Sequence, residues 1–452
     1  MMRSLYSGVS GLRVHQTKMD VIGNNIANVN TVGYKSSRVT FTEVFQQTTQ
    51  AATGANADTG RGGTNAMQIG LGTSVGSISC DPTSEGSAQR TDNPYDLKIS
   101  GQNFFIVNDG TTNYFTKVGA FTVDAAGYLV TQSGYHVMGW QVDETTGEIK
   151  QDLVSPLGIE TPGNLTVPPE ATSANYFTGN IDKTNSDVTG DGLVTSMTIY
   201  DKQGYSYTVK YNIQQSDTDD SLYTVTVTDI IDSTNKSILT ANGGQYDVQL
   251  NNGGDNVELK YNADTGAFEY VGAAGSKSMK LLISGPNDNF YTDQDGAGID
   301  VDFSKTTMYA ASGKCSVTSV RGNLDGMGAG RTAGEMSEVS IATDGKIKAK
   351  YDNGDTKLLG QIAVATFQNA AGLEKVGDSN YTTTANSGAF DGIGKDPTSG
   401  GGSISQGVLE MSNVDLSNEF TEMITTQRGF QANSRIITVS DTLLEELVNL
   451  KR

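Results

Sequence analysis

Apolar residues return every three or four positions over the first thirty residues: Leu5, Val9, Leu12, Met19, Ile22, Ile26 and Val29, with only Gln16 polar where the stripe would continue. That period predicts an amphipathic helix with a coiled-coil-like seam. The pattern allows about 25 residues, or roughly 38 Å at 1.5 Å per residue, with Asn28, Asn30 and Gly33 as stop signals. The last forty residues read the same way. Leu416, Phe420, Met423, Phe430, Ile437, Leu444 and Val448 mark a second seam, and Gln427, Ser434 and Asp441 are its polar positions. Ser412 to Asp415 has the form of a capping box, which predicts a helix start there. Lys451 and Arg452 suit the negative end of the helix dipole. A further stripe, Ile436, Val439, Leu443, Leu447 and Leu450, lies beside the seam. The final turns are therefore apolar on more than one face and need more than one neighbour.

Between these ends the period falls to two. FFIV, YFTKV, FTV, YLV and YHVMGW between 95 and 140 are each followed by a turn signal such as Asn108-Asp109-Gly110 or Ala126-Gly127. They predict short hairpin-linked strands. Val194–Tyr200, Tyr207–Ile213 and Tyr223–Ile230 alternate within a block, 171–300, that carries 18 acidic and 7 basic side chains, no arginine and a single proline, Pro286. They predict a second β domain inserted into the first. Strand signals resume around 336–367. Residues 46–78, rich in Gly, Thr, Ala and Asn, read as an irregular arm, and Ser399 to Ser403 as a flexible connector.

The expected architecture is mixed but mainly β. A terminal-helix domain takes 1–31 and 409–452, and extended connecting arms take 32–72 and 386–408. A first β domain takes 73–160 and 310–385, with a second, 161–309, inserted in it. Isolated helices of this length are marginal in water, so both ends need a surface to pack on.

Charge and chemistry narrow the function. A formal charge of −20 argues against nucleic-acid binding, which needs a basic stripe. Two histidines, His15 and His136, and two cysteines, Cys80 and Cys315, leave little for a zinc or iron–sulfur site or for nucleophilic catalysis. No catalytic constellation and no cofactor site is expected. Asp187-x-Thr189-x-Asp191-Gly192 resembles half of a calcium loop, but Thr198 stands where the bidentate glutamate belongs. Its ordinary reading is an acidic surface turn. Gly60-Arg61-Gly62-Gly63 lacks the Lys-Ser/Thr ending of a phosphate loop and reads as part of the arm. No apolar run is long enough to span a membrane, and the N-terminus has no h-region of a secretory signal. Asn24, Asn25, Asn28 and Asn30 are unusual at a helix end. A helix terminus followed by a turn and a side-chain ladder between neighbouring subunits both stay open.

The terminal motifs MRSLYSGVSGL (2–12), GNNIANVNTVGYK (23–35) and LEMSNVDLSNEFTEMITTQRGFQANSRIITVSDTLLEELVNLKR (409–452), with DLKISGQNFFIV (96–107), FTKVGAFTVDAAGYLVTQSGYHVMGW (115–140) and GQIAVATFQN (360–369), resemble the bacterial flagellar axial proteins, the hook proteins in particular. QRGFQANSRIIT, the LVNLKR ending and the large inserted domain favour hook over rod. The resemblance implies a noncatalytic subunit of a curved tube that transmits torque, exported through the flagellar type III apparatus without a cleaved signal. It implies terminal helices around the export channel and β domains outside them. The implied partners are many copies of the chain, the distal rod protein, the hook cap protein and the hook–filament junction protein, with no nucleic acid and no membrane embedding. Subunit-interface candidates are Leu5, Val9, Leu12, Met19, Ile22, Asn24, Asn25, Ile26 and Asn28, and Leu416, Phe420, Met423, Gln427, Arg428, Phe430, Asn433, Ile437, Leu444 and Val448. The helices are expected to order on polymerisation. Spirochaete members cross-link through a cysteine that the similar stretch here, Gly179-Asn180-Ile181-Asp182, replaces with glycine. Whether Cys80 and Cys315 pair stays open. The competing reading is an extracellular β-rich protein binding calcium or a glycan; within the same structural class it is the distal rod protein.

Overall fold

The computed structural model describes the chain except residues 1, 55–59, 61, 144–145, 252, 287–288, 293–297, 400 and 451–452. The proposed dipole role of Lys451 and Arg452, and the Arg61 of the glycine-rich stretch, lie outside the described residues. The chain forms two compact units, one of Met1–Pro162, Glu338–Ala349 and Thr356–Arg452, the other of Gly163–Ser337 and Lys350–Asp355. The second is thus an insertion in the sequence of the first, and it runs on to Ser337.

In the first unit an N-terminal helix spans Met2–Ala27. It ends where asparagines bond to the backbone: Asn28 Nδ2 donates to the Asn24 carbonyl at 2.9 Å, and Thr31 Oγ1 donates to Asn28 Oδ1 at 3.0 Å. Gly33 then turns the chain with φ of 65°, where an added Cβ would lie 2.7 Å from a Val118 methyl. Position and clearance both require glycine.

Part of 46–78 is regular rather than irregular: Gln46–Gln50, Met67–Gly70 and Thr73–Cys80 are strands. Ser37–Glu43 pairs antiparallel with Thr73–Cys80, and Gln46–Gln50 pairs with Met67–Gly70. The ladder is reinforced by hydroxyl pairs, Thr40 to Ser77 at 2.7 Å and Thr42 to Ser74 at 3.0 Å. Most of its residues are exposed, so no burial imposed the alternation that marks a strand in a sequence.

The β body orders its strands Thr356–Ile362, His136–Gln141, Phe104–Asn108, Asn113–Thr116, Asn380–Thr382 and Glu374–Gly377. Phe104, Ile106, Phe115, Met138, Trp140, Phe367 and Tyr381 fill one side, and Trp140 Nε1 donates to the carbonyls of Asp152 and Ile393. Ile404–Gln406 pairs with Leu97–Ile99 and Val408–Glu410 with Ala88–Arg90, which lead the chain into the C-terminal helix, Leu416–Asn449. That helix does not start at Ser412. Asp415 caps it, accepting from the amides of Ser417 at 2.9 Å and Asn418 at 3.4 Å, while Ser412 Oγ turns the chain by accepting from Val414 N. A carboxylate at the positive helix end gains from the dipole as well as the hydrogen bonds.

The second unit holds two five-stranded sheets. One runs Leu193–Tyr200, Ser206–Gln215, Leu222–Asp232, Asn256–Tyr261, Phe268–Val271; the other runs Asp247–Leu250, Ser278–Ser284, Ile299–Thr307, Ala174–Asn180, Thr318–Arg321. Phe177, Tyr211, Tyr223, Tyr261 and Phe303 anchor the shared core. Ser319 Oγ donates to the Ser196 carbonyl at 2.8 Å, and Ala267 bridges Thr307. The edge strands Leu193–Tyr200 and Thr318–Arg321 thus meet at one margin, while the bridge from Ala267 reaches the end of the central strand Ile299–Thr307.

Candidate functional site

The two terminal helices pack against each other, antiparallel: Ser4 meets Ser440, Gly8 faces Ile437, Gly11 faces Asn433, His15 faces Gly429, Lys18 pairs with Glu422, and Asn25 reaches Glu419. Glycine makes the approach possible. A Cβ on Gly11 would lie 2.7 Å from Asn433 Nδ2, and one on Gly429 would lie 2.7 Å from His15 Cε1. Glycine inside a helix costs about 1 kcal/mol relative to alanine, and here the room it leaves for the Asn433 and His15 side chains offsets it. His15 also meets the edge of Phe41 on the ribbon, and burial, with Lys18 nearby, holds its imidazole below the usual range.

Asn25 is the polar hub at the upper end. Its Nδ2 donates to the Ser37 carbonyl at 2.9 Å and to Glu419 Oε1 at 3.0 Å, and its Oδ1 accepts from Ser37 N at 3.0 Å and Tyr34 OH at 3.2 Å. One amide therefore ties the first helix, its exit turn, the ribbon and the second helix together. Both faces of that amide are used, so an apolar replacement leaves several buried groups without partners.

The lower end is bare. On the C-terminal helix Ile436, Val439, Leu443, Leu447 and Leu450 are 44%, 57%, 47%, 50% and 83% exposed. On the N-terminal helix Met2, Tyr6 and Val9, spaced four and three apart, are also exposed. Contiguous apolar surface of this kind marks an interaction site. Arg3 and Arg13 lie on the first helix, and Asp441, Glu445 and Glu446 near the end of the second.

Asp187 lies in a one-turn helix, Ser186–Thr189, capped by Asn185, and Thr189 Oγ1 donates to the Asn185 carbonyl. Asp191 follows it, its carbonyl accepting from Asn212. Among the described residues no group of three or more His, Cys, Asp or Glu could hold a metal ion. Cys80 and Cys315 are free thiols; Cys315 Sγ accepts from Asp182 N at 3.3 Å. Among the described residues no helix is long and apolar enough to cross a membrane.

Family comparisons assign the same segments. Residues 5–35 match the flagella basal body rod protein family, and 405–450 match the flagellar basal body rod FlgEFG protein C-terminal family. Residues 98–196 match the flagellar hook protein FlgE/F/G D1 domain, and 168–323 match the flagellar basal body protein FlaE D2 domain. The chain is 36% identical to the flagellar hook protein FlgE of Borreliella burgdorferi and 34% identical to that of Treponema pallidum, each over 100% of both chains. The chain belongs to the flagellar hook and rod protein family. The flagellar basal-body rod protein FlgG of Bacillus subtilis is 30% identical, also over 100% of both chains.

Within this family member the predicted interface residues divide. Ile22 and Asn25 are buried; Leu5, Leu12, Met19, Ile26, Asn28, Met423, Phe430, Asn433, Ile437 and Leu444 are half-buried; Val9, Asn24, Leu416, Phe420, Gln427, Arg428 and Val448 are exposed. The seam of large residues thus flanks the helix contact rather than forming its centre. Gly8, Gly11, Val14, Thr426 and Ser440 form the centre, all buried. The cost of glycine in a helix is a signal for Gly8, Gly11 and Gly429, though not a sufficient one, since Gly23 in the same helix has nothing within 4 Å of its would-be Cβ.

Proposed function

We propose that the chain is the structural subunit of a flagellar hook, polymerising through its terminal helices into a curved, flexible tube that transmits torque from rod to filament and encloses the export channel. The observation that carries this is the joint one: full-length identity of 36% to a hook protein, and a helix pair whose lower end leaves two apolar stripes uncovered. Sister copies cover those stripes, and contacts that do not close build a helical filament. From the candidate interface, Val9, Leu416, Phe420, Gln427, Arg428 and Val448 face neighbours. Leu5, Leu12, Met19, Ile22, Asn25, Ile26, Met423, Phe430, Asn433, Ile437 and Leu444 hold the pair itself, and Asn24 and Asn28 close the turn after the first helix. The domains correspond to an inner tube, 1–31 and 409–452, joined by arms to a first β domain and an inserted outer one. The partners are the distal rod protein below, the hook cap during growth, the hook–filament junction protein above and the flagellar type III export apparatus. The place of work is the cell exterior.

The rod reading has its own support in the 30% identity to a rod protein over the full length. Electron microscopy of the purified chain separates the possibilities. Curved tubes favour the hook, straight rigid rods favour the rod, and monomers persisting at high concentration defeat both. Deleting 2–30 or 412–452 is expected to abolish tubes while leaving β-domain melting nearly unchanged.

A further inference from the structure

The roots of the two terminal helices meet at a buried ion pair. Lys35 and Glu410 stand 375 residues apart in sequence, and both side chains are wholly buried. Lys35 Nζ donates to Glu410 Oε1 at 2.8 Å and to the Ser84 carbonyl at 2.6 Å, and the Gly86 amide donates to the same Oε1 at 2.9 Å. Backbone bonds lace the same three segments. Gly33 N donates to the Glu410 carbonyl at 2.7 Å, Met411 N to the Ser87 carbonyl at 2.9 Å, and Ser36 N to Asn413 Oδ1 at 2.8 Å. A Cβ on Gly86 would sit 1.8 Å from the Met411 carbonyl oxygen, so the segment 408–411 seats flush. Lys117, also buried, donates to the Gly101 carbonyl at 2.7 Å and lies 5.0 Å from the Phe104 ring centroid. Its charge acts on Glu410 from the same interior.

We propose that Lys35 and Glu410 form a latch that makes the roots of both terminal helices dock together or not at all. Lys35 belongs to the segment leaving the first helix, Glu410 to the segment entering the second. If either root seats alone, its charge is buried without its counterpart. Such a charge is far costlier than the pair, because desolvation is uncompensated. Half-docked states are thereby depleted and the two ends become one cooperative unit. Glu410 Oε2 has no hydrogen-bond partner among the described residues, so Lys35 is the principal compensation for this carboxylate. Both are positioning residues. In a polymer held by the helix pair, the latch means that a subunit presents both helices in register or neither. That last step rests on the proposed function; the latch itself does not.

The test uses the full chain, with Lys35→Met, Glu410→Gln and the double variant Lys35→Met/Glu410→Leu. Backbone amide exchange is followed in the monomer at Ser37 and Asp81, bonded to Asn25 and Ser36 on the Lys35 side, and at Met411 beside Glu410, with Val209 and Val225 of the second unit as an internal check on folding. Each single variant is expected to speed exchange at all three root amides together, by about 10²-fold or more. The double variant, which removes both charges, is expected to return them to within about tenfold of wild type. The proposal is overturned if a single change loosens only its own segment, or if the double variant is no better protected than the singles. Polymerisation is scored separately: a chain that shows the coupling but never forms tubes leaves the latch standing and removes the hook assignment.

Discussion

Replacing Gly11 with leucine should drive the terminal helices apart. Even a methyl group there would lie 2.7 Å from Asn433 Nδ2 and 2.9 Å from its Cγ, whereas ordinary contact begins near 3.4 Å. Leucine adds three more carbons to the same gap. Overpacking of this kind costs about 1–3 kcal/mol, and parting the helices also forfeits dispersion along the contact. Exchanging glycine for leucine in a helix returns about 0.8 kcal/mol, leaving a net loss of roughly 1–2 kcal/mol. At about 1.4 kcal/mol per factor of ten, the critical concentration for polymerisation rises about 5- to 30-fold. Gly23→Ala is the matched control. It lies in the same helix with nothing within 4 Å of its would-be Cβ, so it gains about 1 kcal/mol of helix propensity and lowers the critical concentration. Sedimentation of polymer across a concentration series, with circular dichroism at 222 nm on the monomer, reads both. If Gly11→Leu lowered the critical concentration as Gly23→Ala does, the close-packed helix contact would be wrong.

Other perturbations reach the β units. Asn175 is buried with neither its carbonyl oxygen nor its amide nitrogen partnered among the described residues; Asn175→Leu should stabilise the second unit by about 1–3 kcal/mol, read as a raised denaturant midpoint, and a lowered midpoint would refute it. Burial pushes the Lys117 ammonium down to about 8, opposed by Glu410. The folded state then binds fewer protons than the unfolded between pH 8 and about 10.5, so stability from this group rises with pH there, by about 3 kcal/mol in all. The stability difference between wild type and Lys117→Met should grow in favour of wild type from pH 7.5 to 9.5, and a flat difference would contradict this. Asp182 accepts from Thr184 N, Ala311 N, Thr184 Oγ1 and Gly313 N, which hold its carboxyl well below the usual range. Its contribution is complete above the unfolded value near 3.8 and is lost as pH falls toward the folded one. Acid unfolding of the second unit should therefore be shallower in Asp182→Asn.

Much of this molecule was legible in its residues because local chemistry and burial agreed. The hairpins from Phe104 to Gln141 announce themselves through turn residues such as Gly110 and Gly127, whose positive φ of 98° and 87° the turns require. The strands Leu193–Tyr200 and Ser206–Gln215 alternate because only one face reaches the core. The ribbon over Ser37–Cys80 was hidden because neither face is consistently buried, so alternation had no cause. In the helices, the rule that large apolar residues make the contact selected the flanks. Close packing there depends on the absence of side chains at Gly8, Gly11 and Gly429, and a hydrophobicity pattern does not register an absence. The Lys35–Glu410 pair was equally invisible, since 375 residues separate its partners and only the fold unites them.

Hydroxyl-radical footprinting of Ile436, Leu443 and Leu447 in monomer and in assembled tubes asks most directly whether sister copies cover the bare helix stripe. Strong labelling in the monomer and near-complete protection in the tube is the expected result. Equal labelling in both states would mean that these side chains stay in water after assembly, and that the polymer is held by some other surface.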